Sequence, residues 1–197
     1  MNESKCSNDI KLEKYTALKK SLDSITLQEN WRKLKCGLWI NKNNEIGLKD
    51  YQTIGANGIV SREYFLTSFG YNRDKPLNKT IDTTTFRELG NTFYKDKNHI
   101  YHFYAMAGGG NFYIFEEADY QTFEILSDCY AKDKNHIYEM RSGIIENVDY
   151  KSFVTKKNIE GCIAKDKNGF LIWGDRINVN EIEDEVLKKE IREFDKN

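Results

Sequence analysis

Three recurring aspartates are the first residues in this sequence whose type and spacing could do chemistry. They stand in Lys95-Asp96-Lys97-Asn98-His99, Lys132-Asp133-Lys134-Asn135-His136 and Lys165-Asp166-Lys167-Asn168-Gly169. A D-x-N pattern supplies oxygen ligands of the kind calcium takes. A calcium loop, however, wants several carboxylates and a glycine close together, whereas here Lys flanks each Asp on both sides, so turn formation accounts for the motif better. His99 and His136 suit proton transfer or metal ligation by type. They occupy one repeat position that Gly169 fills in the third copy, which favours a structural or solvent-facing role. His102 lies three residues beyond His99, on the opposite face of a strand, which argues against a shared metal. The run Ala105-Met106-Ala107-Gly108-Gly109-Gly110-Asn111 is glycine-rich like a phosphate cradle but lacks the terminal Gly-Lys-Ser/Thr. The strand-like Phe112-Tyr113-Ile114-Phe115 follows it, so it reads as a long hairpin loop and a candidate contact surface.

Cys6, Cys36, Cys129 and Cys162 are dispersed, with no C-x-x-C pair, which predicts reduced thiols rather than zinc, a redox dithiol or a disulfide framework. Cys129 and Cys162 each precede a motif Asp by four residues, where the first copy has Thr92, a pattern of packing. Nothing in the sequence pairs either thiol with a histidine base. No G-x-S-x-G elbow occurs, and Ser142-Gly143 reads as a turn. The sequence therefore predicts no catalytic residues, no metal and no cofactor; an enzyme whose site assembles from distant repeats stays open as a third possibility.

These residues must be held by the repeat itself. Asp133 follows Asp96 by 37 positions and Asp166 follows Asp133 by 33, a period at which one repeat is one supersecondary unit. Upstream of each tip a D-x-x-[TS]-F element recurs, from Asp82 to Phe86, Asp119 to Phe123 and Asp149 to Phe153, and the third copy carries a short insertion before its tip. Asn and Asp tolerate positive φ and bond their own backbone, which places the Asp-Lys-Asn runs at strand-turn-strand tips. Phe93-Tyr94, Tyr130-Ala131 and Ile163-Ala164 before the tips, and Ile100-Tyr101, Ile137-Tyr138 and Phe170-Leu171 after them, have the β propensity of strands. A weaker fourth copy runs from Gly37 to Ile46, with Asn41 for the Asp and one residue added. Residues 51–80 carry apolar clusters, among them Ile59-Val60, broken by Gly55, Gly58, Gly70 and Pro76, and read as a diverged repeat. Ile10, Tyr15, Leu18 and Leu22 at one end, and Ile182, Val186, Leu187, Ile191 and Phe194 at the other, recur at helical spacing. Asn180 followed by Glu183 resembles a helix start.

The fold class is therefore mainly β, a β-rich α+β protein of repeated antiparallel hairpins in a propeller-like or stacked array, with a helix near each terminus. The organisation read from the sequence is one domain over residues 1–197. It comprises an N-terminal helical segment at 1–30, a diverged β region at 31–81, three repeats at 82–177 and a C-terminal helix at 178–197. Lys and Arg number 30 against 31 Asp and Glu, interleaved, so no basic footprint for nucleic acid or an anionic membrane is present. The opening MNESKCSNDIKLEKY lacks a secretory pattern and no window approaches a membrane span, which predicts a cytoplasmic protein.

The reiterated KDKN-x-[IF]-[YL] tips with their D-x-x-[TS]-F elements resemble the DKNYY family, a bacterial repeat family, well over residues 82–173 and poorly before them. The two aromatics that the family has after the Asn appear here as His-Ile or Gly-Phe. The resemblance implies no catalytic residues. By analogy with small members encoded beside polymorphic toxins, it implies an immunity protein that binds and neutralises a cognate toxin domain, a nuclease in the leading reading. A basic nuclease surface would select Glu116, Glu117, Asp119, Glu124 and Asp128 as partner contacts. The alternative is a β-repeat scaffold whose Tyr and Trp side chains hold a saccharide or peptide.

Overall fold

The strands expected on either side of each Lys-Asp-Lys-Asn tip are present, and they belong to larger four-stranded meanders. A computed structural model describes residues 3–55, 60–156 and 162–195, with side chains from residue 11 to 194. Gly58, Ile59 and the side chains of Cys6 and Ile10 lie outside the described residues. Contacts divide the chain into two units, one of residues 1–88 and 94–115, the other of residues 89–93 and 116–197. The fold is mainly β, with a helix near each terminus.

In the first unit, helix α1 (Glu3–Gln28) precedes a sheet of β1 (Arg32–Lys33), β2 (Leu38–Ile40), β3 (Ile46–Ile54) and β4 (Val60–Leu66), ordered as in the chain and antiparallel throughout. The β2–β3 hairpin turns at Asn41, whose N–H donates to the Glu45 carbonyl at 3.1 Å, so the fourth copy is real and its extra residue sits in the turn. Residues 51–80 finish β3, supply β4 and form a small ribbon of β5 (Ser68–Phe69) and β6 (Lys75–Pro76). Next comes the sheet of β7 (Arg87–Gly90), β8 (Phe93–Lys95), β9 (Ile100–Tyr104) and β10 (Asn111–Ile114). Leu38, Leu48, Leu66, Leu77, Phe86 and Phe112 of this unit belong to one core cluster. Each contributes roughly 1.5–3 kcal/mol of burial.

The second unit holds the sheet of β11 (Glu124–Ile125), β12 (Tyr130–Lys132), β13 (Ile137–Glu139) and β14 (Gly143–Ile144). It also holds the sheet of β15 (Val154–Thr155), β16 (Ile163–Asp166), β17 (Gly169–Ile172) and β18 (Asp175–Arg176). β17 and β18 are joined at Trp173-Gly174, both with positive φ (51° and 84°), the turn geometry whose twist matches the strands. Helix α2 (Glu185–Asp195) lays Leu187, Ile191 and Phe194 on Ile163 and Phe170. Its start is at Asp184, which accepts the Val186 and Leu187 N–H groups at 2.8 and 3.2 Å, and not at Asn180, which lies in the preceding 3-10 turn. Val186 is exposed rather than part of the apolar face.

One expectation is overturned in this unit. Cys129 and Cys162, read as reduced packing residues, are joined by a disulfide with Cα atoms 5.6 Å apart. Both are buried beside Tyr130, Ile137 and Leu171, so each does pack, and the same position in consecutive repeats brings the two sulfurs together. Spacing along the chain conceals this, because 33 residues separate them.

Candidate functional site

The motif aspartates are buried, and their carboxylates are occupied by donors from their own repeat. Asp96 Oδ1 accepts the N–H groups of Asn98 and His99, both at 2.8 Å, while Oδ2 accepts the Asp82 N–H at 2.8 Å and the Tyr101 hydroxyl at 2.7 Å. Asp133 repeats the pattern with Asn135, His136, Asp119 and Tyr138. In the third copy Leu171 replaces the tyrosine, and Arg176 takes over with its two terminal nitrogens at 2.6 and 2.8 Å. The fourth copy has the neutral Asn41, whose Oδ1 accepts from the Asn43 and Glu45 N–H groups. Asn98, Asn135 and Asn168 do not take positive φ. The tip is therefore shaped by side-chain bonding of the Asp to the tip backbone, as expected, and the tolerance of Asn for positive φ is not used.

The upstream element closes the same circuit. Asp82, Asp119 and Asp149 cap their own turns through Thr84 and Thr85, Thr122 and Ser152. The hydroxyls of Thr85, Thr122 and Ser152 accept the N–H of Lys97, Lys134 and Lys167, whose ammonium groups pair with the upstream Asp at 2.7 Å in each copy. Burial pushes Asp96 and Asp133 up, but the hydroxyl and N–H donors outweigh it and leave both below the usual carboxylate range. Arg176 holds Asp166 well below that range, and Lys134 with the Thr122 hydroxyl draws Asp119 down to about 2. These groups are ionised framework.

His99 and His136 are equivalent in space as in sequence, with Nδ1 at 3.3 Å from the Tyr101 hydroxyl and 3.4 Å from the Tyr138 hydroxyl respectively. His102 is buried on β9 with Nδ1 at 2.8 Å from the Tyr113 hydroxyl and is pushed down to about 4 by burial. Gly109 and Gly110 are close-approach positions: a Cβ on Gly109 would meet the Tyr64 hydroxyl at 2.6 Å, and one on Gly110 the Phe103 ring at 2.4 Å. The Gly110 N–H donates to Asp50 Oδ2 at 2.6 Å, and Ala107 accepts from the Thr53 N–H at 2.7 Å. The loop is thus anchored on β3. Among the described residues no group of three or more His, Cys, Asp or Glu side chains is placed to hold a metal.

Of the acidic residues selected as partner contacts, Glu116, Glu117, Glu124 and Asp128 are exposed. Glu124 pairs with Lys132 at 3.0 Å. Asp119 is half-buried and committed to Thr122 and Lys134.

A recess that the sequence reading did not single out lies in the first unit, where α1 meets the first sheet. Buried Arg62 on β4 joins them, reaching Asp23 Oδ1 at 3.4 Å and Thr26 Oγ1 at 2.8 Å. Asn30, at φ 55°, ends the helical segment and delivers Trp31 onto the sheet. Trp31 stacks on Phe65 with ring centroids 4.2 Å apart, and Trp39 lies tilted on the same ring at 5.4 Å. Gly47 makes room: a Cβ there would stand 2.9 Å from the Trp31 ring. Two ion pairs, Lys19 with Asp23 and Lys49 with Glu63, edge the aromatic floor, and Lys49 Nζ sits 5.8 Å from the Trp39 ring centre. The recess encloses about 480 Å³, within the range of ligand sites. Trp39 and Lys49 also line a second depression of about 360 Å³, shared with Lys33, Tyr94 and Phe103. The signal available in the sequence was the Trp31 and Trp39 pair, but their convergence on Phe65 is long-range.

No curated protein and no solved structure matches the chain. The model of the DKNYY family matches residues 102–175, which contain the second and third Asp-Lys-Asn tips, so this segment is similar to the repeats of that family.

Proposed function

We propose that this protein recognises a partner without chemistry of its own, as an immunity protein that binds and neutralises a cognate bacterial toxin domain, a nuclease in the leading reading. The observation that carries the non-catalytic part is the saturation of the motif carboxylates by internal donors, which leaves the repeats as scaffold. The choice of a basic partner is supported by residues 116–128, which hold five acidic side chains and no Lys or Arg in a chain of net charge −1. Glu116, Glu117, Glu124 and Asp128 are the exposed members that would steer such a partner. Co-expression with candidate toxin domains, beginning with the product of the adjacent gene, should restore growth and yield a tight complex. Replacing Glu116 and Glu117 with Lys should slow association and reduce its sensitivity to screening by salt. Failure of every candidate to be neutralised or bound sinks this reading.

The second reading, a scaffold for a saccharide or peptide, is favoured by the aromatic recess beneath α1. A glycan and peptide array separates it from the first.

A further inference from the structure

We propose that the Trp31–Phe65–Trp39 recess and the depression beside it form one binding groove for a neutral saccharide chain. The inference rests on the ligand-binding reading and goes beyond the toxin reading.

The floor offers aromatic ring surface: Trp31 and Trp39 are half-exposed, and Phe65 fixes both. Flat ring faces complement the apolar C–H faces of a pyranose. The rim supplies hydrogen-bonding groups of both signs, with Lys19 paired to Asp23 and Lys49 to Glu63, so these four carry no net charge toward a ligand. Ammonium and carboxylate groups already neutralised by each other still have spare donors and acceptors for hydroxyls. An anionic ligand in the first recess would have to break these pairs, and the second depression adds only Lys33 to them. A peptide held by its backbone needs an unpaired strand edge, but Trp39 and Lys49 project from strands bonded on both sides, β2 between β1 and β3, and β3 between β2 and β4, while the edge strand β4, which carries Glu63 and Phe65, has α1 packed against it. Hydrogen bonding there falls to side chains. The shared wall of Trp39 and Lys49 joins the recess to a second depression carrying Tyr94 and Phe103, so consecutive sugar units would meet successive rings.

The test uses the full chain on an array of neutral glycans, anionic glycans and peptides, followed by titration of the best soluble neutral binder through tryptophan fluorescence at low and high salt. A neutral glycan should bind with a fluorescence change and little salt dependence. Trp39→Ala should weaken it by about tenfold or more, a loss on the order of 1.4 kcal/mol, and Trp39→Phe should retain most of the affinity. Glu63→Ala, on the exposed rim, is the second variant and should also weaken binding while thermal melting stays cooperative. Absence of any neutral binder, or binding confined to anionic glycans or peptides, overturns the proposal. A neutral glycan whose affinity is untouched by both Trp39→Ala and Glu63→Ala overturns this site while leaving the ligand-binding reading standing.

Discussion

Asp133 gathers the N–H groups of Asn135, His136 and Asp119 and the Tyr138 hydroxyl in a buried position, so removing its carboxylate strands several donors at once. Asp133→Ala should therefore destabilise the second unit by about 3 kcal/mol or more in denaturant unfolding. A change at exposed Lys134 should cost well under half of that. The third copy tests whether the tyrosine and Arg176 are interchangeable solutions to one problem. Arg176→Ala leaves Asp166 short of two donors, and adding Leu171→Tyr should recover on the order of 1 kcal/mol, because Leu171 stands where Tyr101 and Tyr138 reach their aspartates. A double-mutant cycle showing no recovery would mean the third tip has diverged in backbone as well as in side chain. At this scale the D-x-N tip was legible because three of the four donors to Asp133, those of Asn135, His136 and Tyr138, lie within five residues of it. Arg176 was not, since an arginine ten positions downstream has no motif to announce it.

Each repeat is one four-stranded meander begun by the D-x-x-[TS]-F turn, and the disulfide joins two such meanders. Closing a loop of this length removes unfolded-chain entropy worth about 3–4 kcal/mol. Replacing both Cys129 and Cys162 with Ala, or adding reductant, should lower stability by roughly that amount. Free-thiol titration of protein isolated with rapid alkylation shows whether the bond forms in the cell, which bears on compartment because disulfides persist under oxidising conditions. Helix α2 depends on its tertiary face more than on its propensity, as an eleven-residue helix is marginal alone. Phe194→Ala, which empties the contact with Phe170 and Ile163, should cost about 3 kcal/mol and loosen the helix in hydrogen exchange. The apolar spacing of Leu187, Ile191 and Phe194 announced this helix. The Asp184 cap shows that its start was misjudged by about one turn, because Asn178 caps a separate 3-10 turn just before it.

Stability of the molecule against pH should fall in two stages. His102 is pushed down to about 4 by burial, whereas the unfolded chain takes up that proton near pH 6.5, so stability declines as pH drops from about 6.5 to 4. The capped aspartates titrate lower in the folded state than in the unfolded one. Their contribution is present above about pH 4 and is lost below it, down to about 2 for Asp119. Melting temperature measured across this range should show both limbs. His102→Gln should flatten the upper one, and Asp133→Ala should shrink the lower one. A curve level from pH 7 to 4 would mean His102 is not held neutral. Membrane insertion by a helix finds no support, since no described helix is long and apolar enough to span a bilayer. By itself the sequence determined the hairpin tips, the strands beside them, the mainly β class and the two terminal helices. Those features are set by hydrogen bonds and apolar periodicity among residues a few positions apart, which covalent connectivity already holds together. Only the tertiary structure decided the pairing of Cys129 with Cys162, the burial of His102 and the gathering of Trp31, Trp39 and Phe65 under α1. Each depends on which distant segments pack, and that is settled by the burial of the whole core rather than by any local pattern.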